Sequence, residues 1–262
     1  MQKRFCVVGT DARQHAAAEA LRQAGYHVVG AEGAGNAQII LLPMPMDADQ
    51  ADLARILRAA RPGTLALGGR ISEPVRAAAR AAGVELVDYF AREELACLNA
   101  VPTAEGTLAL LMQLREKTIW ESPFLVLGYG RIGKALAGRL AALGGQVTVA
   151  ARSAEQRAGA RCAGHHAASM AQLPQLLPEF DAVINTVPAM VLGRAQLKKL
   201  PRGALVIDLA SRPGGTDFAA AAALGLRAEH ALSLPAKCAP QTAGALVAQT
   251  VLSILQERSA QP

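Results

Sequence analysis

Short apolar runs, rich in β-branched residues, alternate along the chain with longer stretches whose apolar positions recur at helical spacing. In the first half this pattern predicts strands over residues 4–9, 26–30, 38–42, 64–67 and 84–87, with helices over 12–24, 49–60 and 73–82. Gly25, Gly63 and Gly83 each follow a helical stretch, where a left-handed cap favours glycine. The second half predicts strands over 124–127, 146–150, 181–186, 204–209 and 226–229, a helix over 134–143 and a final amphipathic helix over 242–258. Between the halves, residues 93–114 keep helical spacing but meet Asn99 and Pro102. A helix is expected to break there and restart at a Thr103 cap, with Glu105 in its first turn. Strands alternating with helices in this way imply an α/β fold with parallel sheets, covered by helices.

A length of 262 residues suits two domains, and an apolar fraction of 52% supplies a core that a disordered chain would lack. No apolar run reaches the roughly 18–20 residues that span a bilayer, and the N-terminus enters a strand without a signal-peptide pattern. A cytoplasmic protein without a membrane partner is expected. Cys6, Cys97, Cys162 and Cys238 are scattered without a CxxC pair, and His165 and His166 are adjacent, so no metal site is expected. The net charge of +6 comes from arginines spread singly along alanine-rich helices, and aromatics are 3% of residues. That excludes a base-stacking platform and points away from nucleic acid, while suiting an anionic cofactor and an anionic substrate.

Candidate chemistry starts at Phe124-Leu-Val-Leu-Gly-Tyr-Gly-Arg-Ile-Gly133, a buried strand, GxGxxG and an immediate helix. This is the pattern of a Rossmann dinucleotide site. Gly128 permits the tight turn, Gly130 lets backbone approach a pyrophosphate, and Gly133 lets helix and strand pack closely. Tyr129, Arg131 and Ile132 complete the loop that leads phosphates to the helix N-terminus. An NAD-preferring site places a carboxylate at the end of the second strand; here Arg152 and Ser153 stand instead, with Arg157 nearby. Those residues suit a 2′-phosphate, so NADP(H) is the expected cofactor. Two later strand ends, Asn185-Thr186-Val187-Pro188 and Asp208-Leu-Ala210-Ser211, fall where ligands of open α/β sheets bind. Pro188 also ends a strand, and Asp208 also suits a turn cap before Pro213-Gly-Gly215.

Five segments together resemble the dipicolinate synthase family of bacteria, on its Rossmann-type A subunit: Asn99-Ala-Val-Pro-Thr-Ala-Glu-Gly106, the glycine loop, Asn185-Thr-Val-Pro188, Asp208-Leu-Ala-Ser-Arg-Pro-Gly-Gly215 and Leu234-Pro-Ala-Lys-Cys-Ala-Pro-Gln-Thr-Ala-Gly244. Gly9-Thr-Asp-Ala-Arg13 is similar to that family's opening, although Thr10 and Ala236 stand where the family favours glycine. More distantly, the helix entering a Rossmann unit is similar to D-2-hydroxyacid and alanine dehydrogenases. The resemblance implies two Rossmann-like domains linked by long helices. A substrate or partner domain would comprise residues 1–98 with the terminal helix over about 240–262, and an NADP domain residues 99–239.

It also implies NADP-dependent dehydrogenation of a dihydrodipicolinate-type precursor to dipicolinate, in the mother cell of a spore-forming bacterium. A flavoprotein-like B subunit is the implied partner, and a homo-oligomer is expected. A dicarboxylate substrate needs cations in an interdomain cleft: Arg13 for a carboxylate, and Lys237 for the other carboxylate or for proton transfer if burial lowers its pKa. Ser211 and Thr242 are candidate neutral donors. Two other classes stay open: a hydroxyacid or amino-acid dehydrogenase, against which the missing His–carboxylate dyad speaks, and a non-catalytic NADP-binding protein or redox sensor.

Overall fold

The structure, a computed structural model, describes residues 3–44 and 50–260. It divides into two compact units, Met1–Asn99 with Ala239–Pro262, and Ala100–Cys238.

In the first unit, β1 (Arg4–Val7), α1 (Ala12–Gln23), β2 (His27–Val29), β3 (Ile39–Leu41), α2 (Gln50–Ala59), β4 (Leu65–Gly68), α3 (Glu73–Ala81) and β5 (Glu85–Asp88) follow one another. All pairings are parallel and the order is β2-β1-β3-β4-β5. The central strands β3 and β4 are buried at every position, as a sheet covered on both faces requires. Asp11 caps α1 by accepting from the Arg13 and Gln14 amides. Gly25, Gly63 and Gly83 hold positive φ just beyond a helix. The predicted start of the second helix, Asp49, lies outside the described residues.

One long helix, α4 (Glu93–Leu114), carries the chain into the second unit. The expected break at Asn99 and Pro102 does not occur. Proline inside a helix costs roughly 3 kcal/mol, but Leu95 on one side and Ala104, Thr107 and Leu111 on the other are buried, and that packing outweighs the local penalty. Thr103 and Glu105 are therefore mid-helix residues. The same continuity corrects the expectation about membrane-length stretches: α4 is long and apolar enough, by length and composition, to cross a bilayer. Its buried side chains belong to the two protein cores.

The second unit runs β6 (Pro123–Leu127), α5 (Arg131–Ala142), β7 (Gln146–Ala151), α6 (Ala154–Cys162), β8 (His166–Ser169), α7 (Leu173–Leu176), β9 (Ala182–Asn185), α8 (Arg194–Leu197), β10 (Leu205–Asp208), α9 (Phe218–Ala223), β11 (Arg227–His230) and α10 (Leu234–Cys238). Its parallel sheet has the order β11-β10-β9-β6-β7-β8. Direction of winding reverses between β6 and β9, which places a crevice at their carboxyl ends. The last helix, α11 (Pro240–Ala260), returns to the first unit and lies on α1. Contact is close: a Cβ on Gly244 would lie 2.3 Å from the Arg13 carbonyl oxygen.

Candidate dinucleotide site

β6 is buried over Phe124–Leu127 and delivers the chain to the glycine turn. Gly128 has φ +90°, a conformation L side chains avoid, and a Cβ there would sit 2.5 Å from Thr186 Oγ1. Gly130 begins α5, and a Cβ there would meet nothing within 4 Å. Backbone at that point is open to approach. Gly133 is the opposite case: a Cβ would fall 2.3 Å from the Gly128 carbonyl oxygen, so helix start and strand end pack backbone against backbone. No side chain caps α5, which leaves its first amides and its positive dipole end for an anion. Arg131 is exposed and Ile132 packs against the core.

Tyr129 turns inward. The residue is 5% exposed, and its ring meets His165 edge-on at 6.2 Å and lies 5.8 Å from the Lys134 ammonium. Burial pushes its phenol above, and the His165 imidazole below, their ordinary ranges. The side chain of Tyr129 is thus turned to the protein interior.

On the other side of the crevice, Thr186 donates to the Leu127 carbonyl from both its amide (2.9 Å) and its hydroxyl (2.8 Å), joining the ends of β6 and β9. Asp208 is fully buried. Its Oδ1 accepts from Asn185 Nδ2 (2.9 Å) and the Ala210 amide (2.9 Å), and its Oδ2 from the Gly215 amide (2.8 Å). Asn185 in turn accepts from the Val187 amide at 3.0 Å. One carboxylate therefore fixes the turns after β9 and β10. A Cβ on Gly215 would lie 2.4 Å from Asn185 Nδ2 and 2.5 Å from the Ala189 carbonyl, so the turns touch without room for a side chain. The Asp208 carboxylate is thus engaged by the two turns themselves. Val187 is half-buried, Pro188 exposed, and Ala210 buried. His230 contacts the Ala210 carbonyl through Nε2 at 2.9 Å and stacks on Phe218.

At the end of β7, Arg152 is exposed. Ser153 Oγ accepts from the Gln156 amide (3.1 Å) as the cap of α6, which leaves its hydroxyl proton free to donate. Arg157 donates to the carbonyls of Ala151 (3.1 Å) and Arg152 (2.7 Å), bracing that turn. These residues could hold a 2′-phosphate, with Arg157 acting through the backbone it supports.

The substrate candidates fall in both units. In the second, Ser211 and Lys237 are exposed, so the burial on which proton transfer by Lys237 depended is not met. Glu105 is paired with Arg139 at 3.3 Å. In the first, Thr242 is exposed at the start of α11, whereas Arg13 is 8% exposed, its Nε 4.0 Å from Asp11 Oδ1 and without a hydrogen-bond partner. Sequence reasoning missed Tyr89, fully buried with an unpartnered hydroxyl. No local signal marks it, because its surroundings come from segments far apart in sequence.

Residues 103–223 match the family described as D-isomer specific 2-hydroxyacid dehydrogenase, NAD binding domain. Over 177 residues, 68% of this chain, the sequence is 40% identical to the dipicolinate synthase A subunit of Bacillus subtilis (strain 168), and the match spans 60% of that relative's length. The crystal structure of the dipicolinate synthase A subunit from Bacillus halodurans has a TM-score of 0.88 at 28% identity, covering 99% of this chain and 98% of that one. D-lactate dehydrogenase from Escherichia coli, with a TM-score of 0.70 at 14% identity over 99% and 98% of the two chains, shares the fold.

Proposed function

This chain is a relative of the A subunit of dipicolinate synthase, similar along 99% of its length, and from that premise we propose an NADP-dependent oxidoreductase that dehydrogenates a dihydrodipicolinate-type precursor to dipicolinate, pyridine-2,6-dicarboxylate. The observation that carries the cofactor half is the uncapped start of α5 behind Gly128 and Gly130, with Arg152 and Ser153 rather than a carboxylate at the end of β7. Gly128, Gly130, Arg131, Ile132 and Gly133 bind the pyrophosphate through backbone amides, as does the backbone of Tyr129. Arg152 and Ser153 hold the 2′-phosphate. Thr186, Val187 and Pro188 wall the crevice beside Ala210, and Asp208 sets the shape of both turns.

Residues 128–133, Arg152 and Ser153 would hold NADP, which would supply a hydride acceptor; the dihydropyridine ring would become aromatic by giving up that hydride and releasing a proton to water. That gain reduces the need for a strong protein base, so the chain acts mainly by positioning. The first unit binds substrate through Arg13, with Thr242 as a neutral donor. In the second unit, Ser211 is a candidate neutral donor and Lys237 an exposed cation able to meet a carboxylate. A flavoprotein-like B subunit joins the first unit in this reading.

Purified chain mixed with NADP and freshly generated dihydrodipicolinate tests it, with NADPH and dipicolinate followed by absorbance, with and without the B subunit. Equal growth of both signals is the expected result. Demonstrable NADPH binding with neither product under either condition would refute it and favour a non-catalytic NADP-binding protein.

A further inference from the structure

Five buried side-chain polar atoms have no hydrogen-bond partner among the described residues: Arg13 Nε, Gln14 Oε1, Ser72 Oγ, Tyr89 OH and Thr216 Oγ1. Stranding such atoms is unfavourable, and folded proteins keep few of them. All but Thr216 sit in the first unit, just beyond the carboxyl ends of its strands: Arg13 and Gln14 after β1, Ser72 after β4, Tyr89 after β5. The sheet order β2-β1-β3-β4-β5 reverses between β1 and β3, and that edge is where an open α/β sheet receives a ligand. Of the four in this unit, two are donors on side chains more than nine-tenths buried, Arg13 at 8% exposure and Tyr89 at 0%.

Nearby acids do not satisfy them. Asp11 lies 4.0 Å from Arg13 Nε, and its Oδ1 is engaged by the amides of Arg13 (2.8 Å) and Gln14 (3.0 Å). Asp88 accepts from the amides of Arg70 (3.3 Å), Ile71 (3.3 Å) and Phe90 (2.9 Å), and pairs with Arg76 at 3.7 Å. The Tyr89 ring crosses the end of β4 because residue 69 is glycine: a Cβ there would be 2.9 Å from the ring and 2.3 Å from Met44 Sδ. In that position the hydroxyl feels the charges of Arg13, Asp88 and Asp11. Burial raises its pKa well above the ordinary tyrosine range despite the opposing Arg13 charge, so it remains a neutral donor.

We infer that Arg13 and Tyr89 together form a carboxylate seat at the carboxyl edge of the first sheet, with the guanidinium supplying charge and the phenol a directed neutral bond. A single buried cation suits a monoanionic carboxylate better than a phosphate. Under the proposed function, which this inference deepens and rests on, the seat takes one of the two ring carboxylates. Tyr89 is then a substrate-binding residue that no motif announces.

The test is calorimetric titration of dipicolinate into the full chain with NADP present, comparing wild type with Tyr89→Phe and Arg13→Gln. Tyr89→Phe keeps the ring and removes only the hydroxyl. It is expected to weaken dipicolinate binding about 10- to 100-fold, the usual size for a bond to a charged group, with NADP affinity and melting temperature unchanged or, for the latter, raised. Arg13→Gln is expected to weaken dipicolinate binding at least as much. Wild-type affinity in Tyr89→Phe, or failure of the wild type to bind dipicolinate, would overturn the seat. Turnover separates this inference from the reading it rests on. Binding that depends on both residues without NADPH formation keeps the seat and removes the reaction. NADPH formation with binding indifferent to both residues does the reverse.

Discussion

Replacing Asp208 with alanine strands the three donors that its buried carboxylate now satisfies, from Asn185, Ala210 and Gly215. Each stranded donor costs about 1–3 kcal/mol before relaxation. With partial relaxation and water entry the total is about 3–6 kcal/mol, a large share of a typical domain's 5–15 kcal/mol. Asparagine is the informative control. Its amide oxygen, placed at Oδ1, keeps the bonds from Asn185 and Ala210, while its NH2 faces the Gly215 amide. One bond is lost, so about 1–3 kcal/mol is expected. The chain's one tryptophan, Trp120, belongs to the second unit and rests against Gly144, so its fluorescence during urea unfolding reports the unit that holds Asp208. The reasoning is refuted if Asp208→Ala falls within about 1 kcal/mol of wild type, less than one stranded donor. It is also refuted if asparagine costs as much as alanine.

Gly133→Ala, whose Cβ would lie 2.3 Å from a carbonyl oxygen, should cost about 1–3 kcal/mol and weaken NADPH binding. Gly138→Ala, in the same helix with nothing within 4 Å, should instead stabilise by about 0.5–1 kcal/mol in the same fluorescence assay. Arg152→Ala should lower affinity for NADPH about 10- to 100-fold while leaving NADH nearly unchanged, read by cofactor fluorescence titration; equal losses for both would remove the 2′-phosphate role. Asp181 tests pH linkage: burial raises its carboxyl pKa, but Lys117 at 2.6 Å and Arg115 at 3.0 Å outweigh burial and hold it below the ordinary range. A depressed carboxylate pKa stabilises the fold above the unfolded value, about 3.9, and that contribution is lost as pH falls through the folded value. Asp181→Asn should therefore cost about 1 kcal/mol or less at pH 7, with the gap to wild type closing in acid unfolding curves below about pH 4.

The fold class was legible because its signals are local. Buried strands such as Phe124–Leu127 are continuous apolar runs, and glycines such as Gly25 and Gly83 mark helix ends at positive φ. Helix α4 was misread because Pro102 is a local breaker, whereas the burial that keeps the helix whole is tertiary. Helices α6 and α9 do not stand out in the sequence since AEQRAGARC holds no large aliphatic residue and FAAAAA is only six residues long. In the candidate site, the glycines could be named because steric need is written in residue type. The depth of Arg13, the inward turn of Tyr129, the saturation of Asp208 and the isolation of Tyr89 all depend on partners distant in sequence.

The packing of α11 on α1 also has a consequence in time. On a ribosome the chain emerges from its N-terminus, and domains tend to fold as they appear. Residues 100–238 form one continuous stretch and have all their core partners before α11 is made. The first unit waits: Phe5, Leu21 and Leu41 share a core with Val247, Val251 and Ile254. The first unit, begun earlier, is thus completed after the second, with its apolar face uncovered meanwhile. A stop codon just after residue 239 would spare the dinucleotide unit and unmake the opening of the chain.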